Sequence, residues 1–250
     1  MARAPLVLLL AAAAPAAAGL WEEVGRNTDV TASAAADSRL LRPGRAPDVG
    51  PVATLGAEAV LSIPGSAFNL VASAQASRSL DGAPRLDQRA AGLALRRFGA
   101  SHLAELGVTL EHNLGANPAA LARSFGETTF HAQVAWIWDK AELPPSLTLA
   151  AQSTPRREEA VLELMLNQPL AAWEDRGIEA FLSAGTLRAT DADGDGRGRV
   201  EGWSFGGIGI LGSWTPSPGT LLYMKADAQL ATEAPGRMEG RVSLGWERTF

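Results

Sequence analysis

The chain has 250 residues, 22 Lys and Arg against 27 Asp and Glu, and a formal net charge of -5, a balance that argues against nucleic acid as a partner. It contains no cysteine, which excludes disulfides and thiolate metal sites and leaves stability to packing and backbone hydrogen bonds. Apolar residues make up 46%, enough for one large domain, yet no helix-length apolar stretch follows the N-terminal segment.

That segment comes first. Arg3 leads into an apolar run from Leu6 to Ala14 and then to small residues at Ala16 and Ala18, the pattern of a secretory signal peptide. Residues 1–18 are therefore read as the signal, and the mature chain as starting at Gly19. The apolar run is too short for a transmembrane helix, and polar sequence from Trp21 to Asp29 follows it. The absence of a cysteine after the cleavage position speaks against a lipid anchor.

Gly, Pro and Asp clusters divide the rest into twelve predicted strands. In chain order these are Val30–Leu41, Val52–Ile63, Phe68–Arg78, Gln88–Phe98, His102–Asn113, Thr128–Trp138, Ser146–Thr154, Glu158–Gln168, Ile178–Thr190, Trp203–Trp214, Leu221–Thr232 and Arg237–Phe250. They are longer than the roughly five or six residues usual in soluble sheets. Most alternate strictly. Leu55, Ala57, Ala59 and Leu61 oppose Thr54, Gly56, Glu58 and Ser62, and Leu106, Val108 and Leu110 oppose Glu105, Gly107, Thr109 and Glu111. Leu162, Leu164 and Leu166 oppose Glu159, Glu163 and Asn167 in the same way. The exception is Trp203–Trp214, where Gly206, Gly207, Gly209 and Gly212 blur the two faces and predict a bulge or bend.

Connections alternate in length. Pro64-Gly65, Gly99-Ala100 and Pro216-Ser217-Pro218-Gly219 read as tight turns, whereas 42–50, 81–87, 114–127 and 191–202 read as longer loops. Pro169–Gly177 is expected to be a longish connection on the short-turn side, and Pro155–Arg157 a short one on the loop side. Trp136, Trp138, Trp214 and Trp246 fall near strand ends on the short-turn side and Trp203 at a loop-side end, as indole rings do at a membrane interface.

The final strand places Met238, Gly240, Val242, Leu244, Trp246, Arg248 and Phe250 on one parity and polar residues on the other. A period-two strand with a terminal aromatic resembles the insertion signal of Gram-negative outer-membrane β-barrels, departing from the usual pattern at Arg248. The resemblance implies an all-β fold: a closed antiparallel transmembrane β-barrel of twelve strands, with ten or fourteen as alternatives. It also implies export through the periplasm, residence in outer-membrane lipid and contact of Phe250 with the barrel assembly machinery. Residues 19–29 become a periplasmic segment and residues 30–250 the barrel.

If the apolar parity faces lipid, the lumen receives Glu58, Gln75, Arg96, Glu105, Glu111, His131, Gln133, Glu159, Glu163, Glu179, Lys225, Asp227, Glu239 and Arg241. Carboxylates outnumber cations in that set, and Asp227 and Arg241 have the parity to pair. The expected function is a porin-like channel for small solutes with a mild preference for cations. The alternatives are a closed structural or accessory barrel in envelope or exopolysaccharide biogenesis, and a lipid-modifying enzyme. For the last, Glu111, Thr129 and His131 share parity on adjacent strands and could meet as an acid–base set. No lipase-type serine motif accompanies them, so no catalytic residue is assigned.

One loop motif remains. Asp191, Asp193 and Asp195, each followed by a small residue, resemble the start of an EF-hand-type calcium loop. The match covers six residues and then fails, since Gly202 stands where the bidentate acid belongs and Glu201 is one position early. Calcium is thus the one cofactor candidate; the same residues also read as a solvated Asp/Gly turn.

Overall fold

The computed structural model describes residues 28–38, 50–80, 87–113, 127–138, 140–155, 159–189, 200–230 and 238–250. Among these it has twelve strands. They are β1 (Thr28–Asp37), β2 (Val52–Ser62), β3 (Phe68–Ser79), β4 (Asp87–Phe98), β5 (His102–Asn113), β6 (Glu127–Ile137), β7 (Ser146–Thr154), β8 (Glu159–Ala172), β9 (Arg176–Ala189), β10 (Val200–Ser217), β11 (Thr220–Leu230) and β12 (Met238–Thr249). Every predicted strand is present. β1 begins two residues before the boundary expected for the barrel, at Thr28.

Each strand pairs antiparallel with its chain neighbours, and β1 pairs with β12 to close the barrel. The seam runs from Thr31↔Thr249 to Asp37↔Ser243 and extends one step further where the Phe250 N–H donates to the Val30 carbonyl at 2.9 Å. Closure matters because an open edge would leave a row of N–H and C=O groups unpaired in hydrocarbon, at several kcal/mol each.

The turns follow from their residues. Proline fixes φ at the first central position of Pro64-Gly65, Gly65 takes φ 71° at the second, and the Ser66 N–H donates to the Ile63 carbonyl at 3.1 Å, a type II turn. Pro218-Gly219 repeats the device with φ 74° at Gly219, next to a register shift between Trp214 and Ser217. A type II turn does not match strand twist, and the neighbouring irregularity takes up the difference.

Two expectations are corrected here. The connection read as Pro169–Gly177 is only residues 173–175, because β8 continues through Pro169 to Ala172 with a register shift between Pro169 and Ala171. Proline has no N–H for the ladder, and a bulge is where a strand tolerates that loss. The glycine-rich stretch of β10 carries no bulge: its pairing with β9 is continuous from Trp203 to Trp214, with register shifts only toward the ends.

Alternation sets the two faces. Leu55, Leu93, Leu106, Leu110, Leu182, Met224 and Leu244 are each more than half exposed on the outside. Leu106 reaches 66%. A water-soluble fold hides such side chains; a bilayer solvates them. At the end carrying Thr28 and Phe250, exposed aromatics ring the barrel: Phe68, Phe98, Trp136, Trp138, Trp173, Trp214, Trp246 and Phe250. Trp173, absent from the expected girdle, enters it because β8 runs past its proline.

Candidate functional site in the barrel lumen

Cross-strand partners share a face, so the register carries inward orientation around the barrel. Thr31, Glu58, Ser73, Gly92 and Thr109 form one such inward row, and Asn69, Arg96, Glu105, Gln133, Ala150 and Glu163 another. All fourteen residues predicted for the lumen lie on the inward parity. Arg96, Lys225 and Arg241 are the inward-facing Lys and Arg residues among the described strand positions, and carboxylates outnumber them.

The charges gather on two walls. On β2, β4, β5 and β6, the Arg96 Nε donates to Glu105 at 2.5 Å while its terminal nitrogens reach Glu58 at 2.9 and 3.4 Å. His131 Nε2 lies 3.3 Å from the second oxygen of Glu105. On β11 and β12, Arg241 binds Asp227 through Nε and a terminal nitrogen at 3.0 and 3.1 Å, the pairing that parity predicts. Lys225 Nζ stands 4.0 Å from Asp227 and 4.4 Å from the centroid of the Phe181 ring, a cation–π contact. Each of these pairs runs along the wall rather than across the barrel.

Four rings are also laid flat on the wall. His131 covers Gly107, Phe181 covers Gly209, Phe205 covers Gly185 and Tyr223 covers Gly245, each glycine being the ring's direct cross-strand partner. A Cβ at any of these glycines would run into its ring. The missing side chain is what lets an inward aromatic cover the backbone instead of projecting into the lumen.

The acid–base set weighed from the sequence is not assembled. Glu111 accepts from Gln88 at 2.8 Å, Thr129 pairs with the Thr154 hydroxyl at 3.0 Å, and His131 turns to Glu105 instead. Asp37, overlooked in the sequence, faces inward and accepts from the Ser243 hydroxyl across the closing seam. Its parity with Thr31 and Ser33 was the available signal. Asp191, Asp193 and Asp195 lie outside the described residues, among which no group of three His, Asp or Glu side chains is placed to hold a metal ion.

Outside the membrane-spanning part, the 173–175 turn anchors one girdle indole. Trp214 Nε1 donates to Asp175 Oδ2 at 3.1 Å, and Arg176 Nε to Oδ1 at 3.1 Å. The Arg176 hydrogen bond, followed by its charge and the indole N–H, holds the Asp175 carboxyl below the usual carboxylate range.

No protein-family profile matches the chain, and no curated protein matches it. Solved structures do. The barrel is similar to an outer membrane channel from Pseudomonas putida F1, with TM-score 0.57 and 12% identity over 90% of this chain and 96% of that one. It is similar to the KdgM porin, solved in complex with disordered oligogalacturonate, with TM-score 0.52 and 10% identity over 89% and 99% of the two chains. It is also similar to LpxR from Salmonella typhimurium, with TM-score 0.53 and 9% identity over 88% and 99%. The expected fold is thereby borne out: a closed, twelve-stranded antiparallel barrel of the outer-membrane kind.

Proposed function

We propose that this barrel is a diffusion channel of the outer membrane that passes small hydrophilic solutes and prefers cations. The observation that supports the reading is an acid-rich inner wall on which Glu58 points inward with its side chain 37% exposed. Arg96, Lys225 and Arg241 are all engaged by carboxylates, so among the described residues the inner wall offers no free guanidinium or ammonium for an anion. In a narrow pore of low-dielectric walls, an excess of carboxylates raises the local concentration of cations and repels anions. KdgM was solved with a polyanion, oligogalacturonate; the chemistry of this lumen favours small cationic and neutral solutes instead.

The outward leucines, the aromatic ring at one end and the signal-like residues 1–18 support export to the outer membrane, with Phe250 offered to the assembly machinery. Planar-bilayer recording on the refolded mature chain tests the function. Discrete steps with a cation-directed reversal potential are expected, and silence from a correctly folded barrel would overturn the channel.

Silence would favour a closed accessory barrel, which has one observation behind it. Val52 and Leu187, inward positions near the long connections, are each 1% exposed.

A further inference from the structure

Inward positions of a water-filled barrel are usually polar. On four successive strands that rule is broken side by side. Met165 on β8, Phe181 on β9, Leu211 on β10 and Tyr223 on β11 all lie on the inward parity. Each is set two residues toward the short-turn end from its neighbour's direct partner, since Met165 opposes Ser183, Phe181 opposes Gly209 and Leu211 opposes Lys225. Diagonal neighbours on one face of a sheet are within reach of aromatic and long side chains, so the four make one apolar stripe. All four are half-buried, with part of each surface left open.

Two of the four are rings laid over glycines, Phe181 on Gly209 and Tyr223 on Gly245. Phe181 shows what such a ring does in this lumen: the Lys225 ammonium stands 4.4 Å from its centroid and 4.0 Å from Asp227, an alkylammonium held between a ring and a carboxylate. Tyr223 repeats the setting without the cation. Glu247 is inward on β12, two residues beyond Gly245, and Glu179 is inward on β9, directly opposite Leu211. Among the described residues, the cations over rings are Arg97 on Phe68, Lys225 on Phe181 and Arg248 on Phe250, none of them on Tyr223. No Lys or Arg among those residues pairs with Glu179 or Glu247, and the nearby Lys225 and Arg241 are engaged by Asp227.

We infer that this stretch of the inner wall is a binding site for organic ammonium ions that carry an apolar body, and that such ions are the solutes the channel takes best. The inference deepens the channel reading and rests on it. The apolar body lies along Leu211 toward Phe181 and Met165, and the ammonium lies over Tyr223 between Glu179 and Glu247. A ring face attracts a cation through its quadrupole, more strongly where water is partly excluded. The body gains by leaving water for the stripe. A hydrated inorganic cation gains from the carboxylates alone, a neutral apolar solute from the stripe alone, and an anion is repelled by both glutamates.

The test is block of the potassium chloride current through the refolded full barrel in a planar bilayer, with folding checked by heat-modifiable gel migration. Three probes are compared: benzyltrimethylammonium carries charge and body together, tetramethylammonium the charge alone and benzamide the body alone. Benzyltrimethylammonium is expected to block at concentrations at which the other two leave the current unchanged. Tyr223→Leu, read against its own unblocked current, should weaken that block about two- to five-fold, the range of a cation–π contact, and Tyr223→Phe should keep it. Glu179→Gln combined with Glu247→Gln should weaken it as well, and tests the site even if the leucine variant does not fold. Equal block by tetramethylammonium or by benzamide, a block that survives either weakening variant unchanged, or no block of a conducting barrel overturns this inference and leaves the channel standing. Absence of current from a folded barrel overturns both.

Discussion

Arg241 holds Asp227 with two parallel hydrogen bonds, at 3.0 and 3.1 Å, directly across the β11–β12 pair. β12 is also the strand that closes the barrel against β1, so this fork pins the register of the last strand. Bidentate guanidinium–carboxylate pairs are the geometrically selective ones, because slipping β12 by one residue would send Arg241 to the outer face and leave Asp227 behind on the inner one. Asp227→Ala is expected to cost about 1–3 kcal/mol, between the values for exposed and fully buried pairs, because the Arg241 and Asp227 side chains are 19% and 11% exposed. Urea unfolding in detergent micelles checks it. A double variant with Arg241→Ala should lose clearly less than the sum of the two single changes; strict additivity would mean that the pair contributes no coupling.

Tyr223 lies over Gly245, and the three atoms nearest a Cβ built there all belong to its phenol. Gly245→Ala should therefore push the phenol off the wall and into the lumen, costing about 1–3 kcal/mol as other overpacking changes do and lowering single-channel conductance. Adding Tyr223→Ala should restore the conductance, since the crowding ring is gone. If Gly245→Ala conducts like wild type, the ring has another place to go and the glycine is not there for clearance.

These ring–glycine pairs mark the limit of what was legible in the sequence. Strand positions were legible because period-two alternation and proline–glycine turns are local: Pro64-Gly65 ended a strand within one residue of the expected place, whereas β10 ran past the expected Trp214 to Ser217 before Pro218-Gly219 turned it. The lumen list was legible for the same reason, since parity alone decides which face Glu58 or Asp227 occupies. What Gly209 does was not, because its role is defined by Phe181 on the neighbouring strand and local sequence carries no cross-strand register. Pro169 misled for a related reason: a proline stops a strand unless the partner accommodates a bulge, and the partner, Glu179, lies ten residues away. The link between Glu58 and Arg96, which skips over β3, depends on side-chain reach and was likewise out of view.

The lipid-facing assignment makes opposite predictions for two neighbouring positions. Leu106, 66% exposed on the outside of β5, lies next to the inward Glu105. Leu106→Arg should destabilise the barrel by about 2–4 kcal/mol if it sits near the bilayer midplane, because the guanidinium must be drawn through hydrocarbon to reach water. Gln133→Lys, on the inner face, should fold and assemble normally and, in the proposed channel, reduce cation selectivity. Refolding yield into lipid vesicles and urea midpoints compare the two. Equal tolerance of both changes would mean that the outer face is bathed in water and the barrel does not sit in lipid.

Asp175 offers a pH test at the turn between β8 and β9. Its carboxyl accepts from Arg176 and from the indole N–H of Trp214, and the Arg176 hydrogen bond in particular holds it below the usual carboxylate range. A group depressed in the folded state contributes stability that is fully present above its unfolded value, about 3.9 for aspartate, and lost as pH falls through the lower folded value. Asp175→Asn should therefore lower the urea midpoint slightly at neutral pH, with the gap to wild type constant through the neutral range and closing only in acid. The effect is small because the group is exposed and water screens the pair. Tryptophan emission supplies an independent readout, since Trp214 loses a charged acceptor in the variant. A gap between wild type and variant that persists unchanged in strong acid would show that the variant acts through the turn backbone, where the Thr215 N–H donates to the Asp175 carbonyl, and not through the carboxylate.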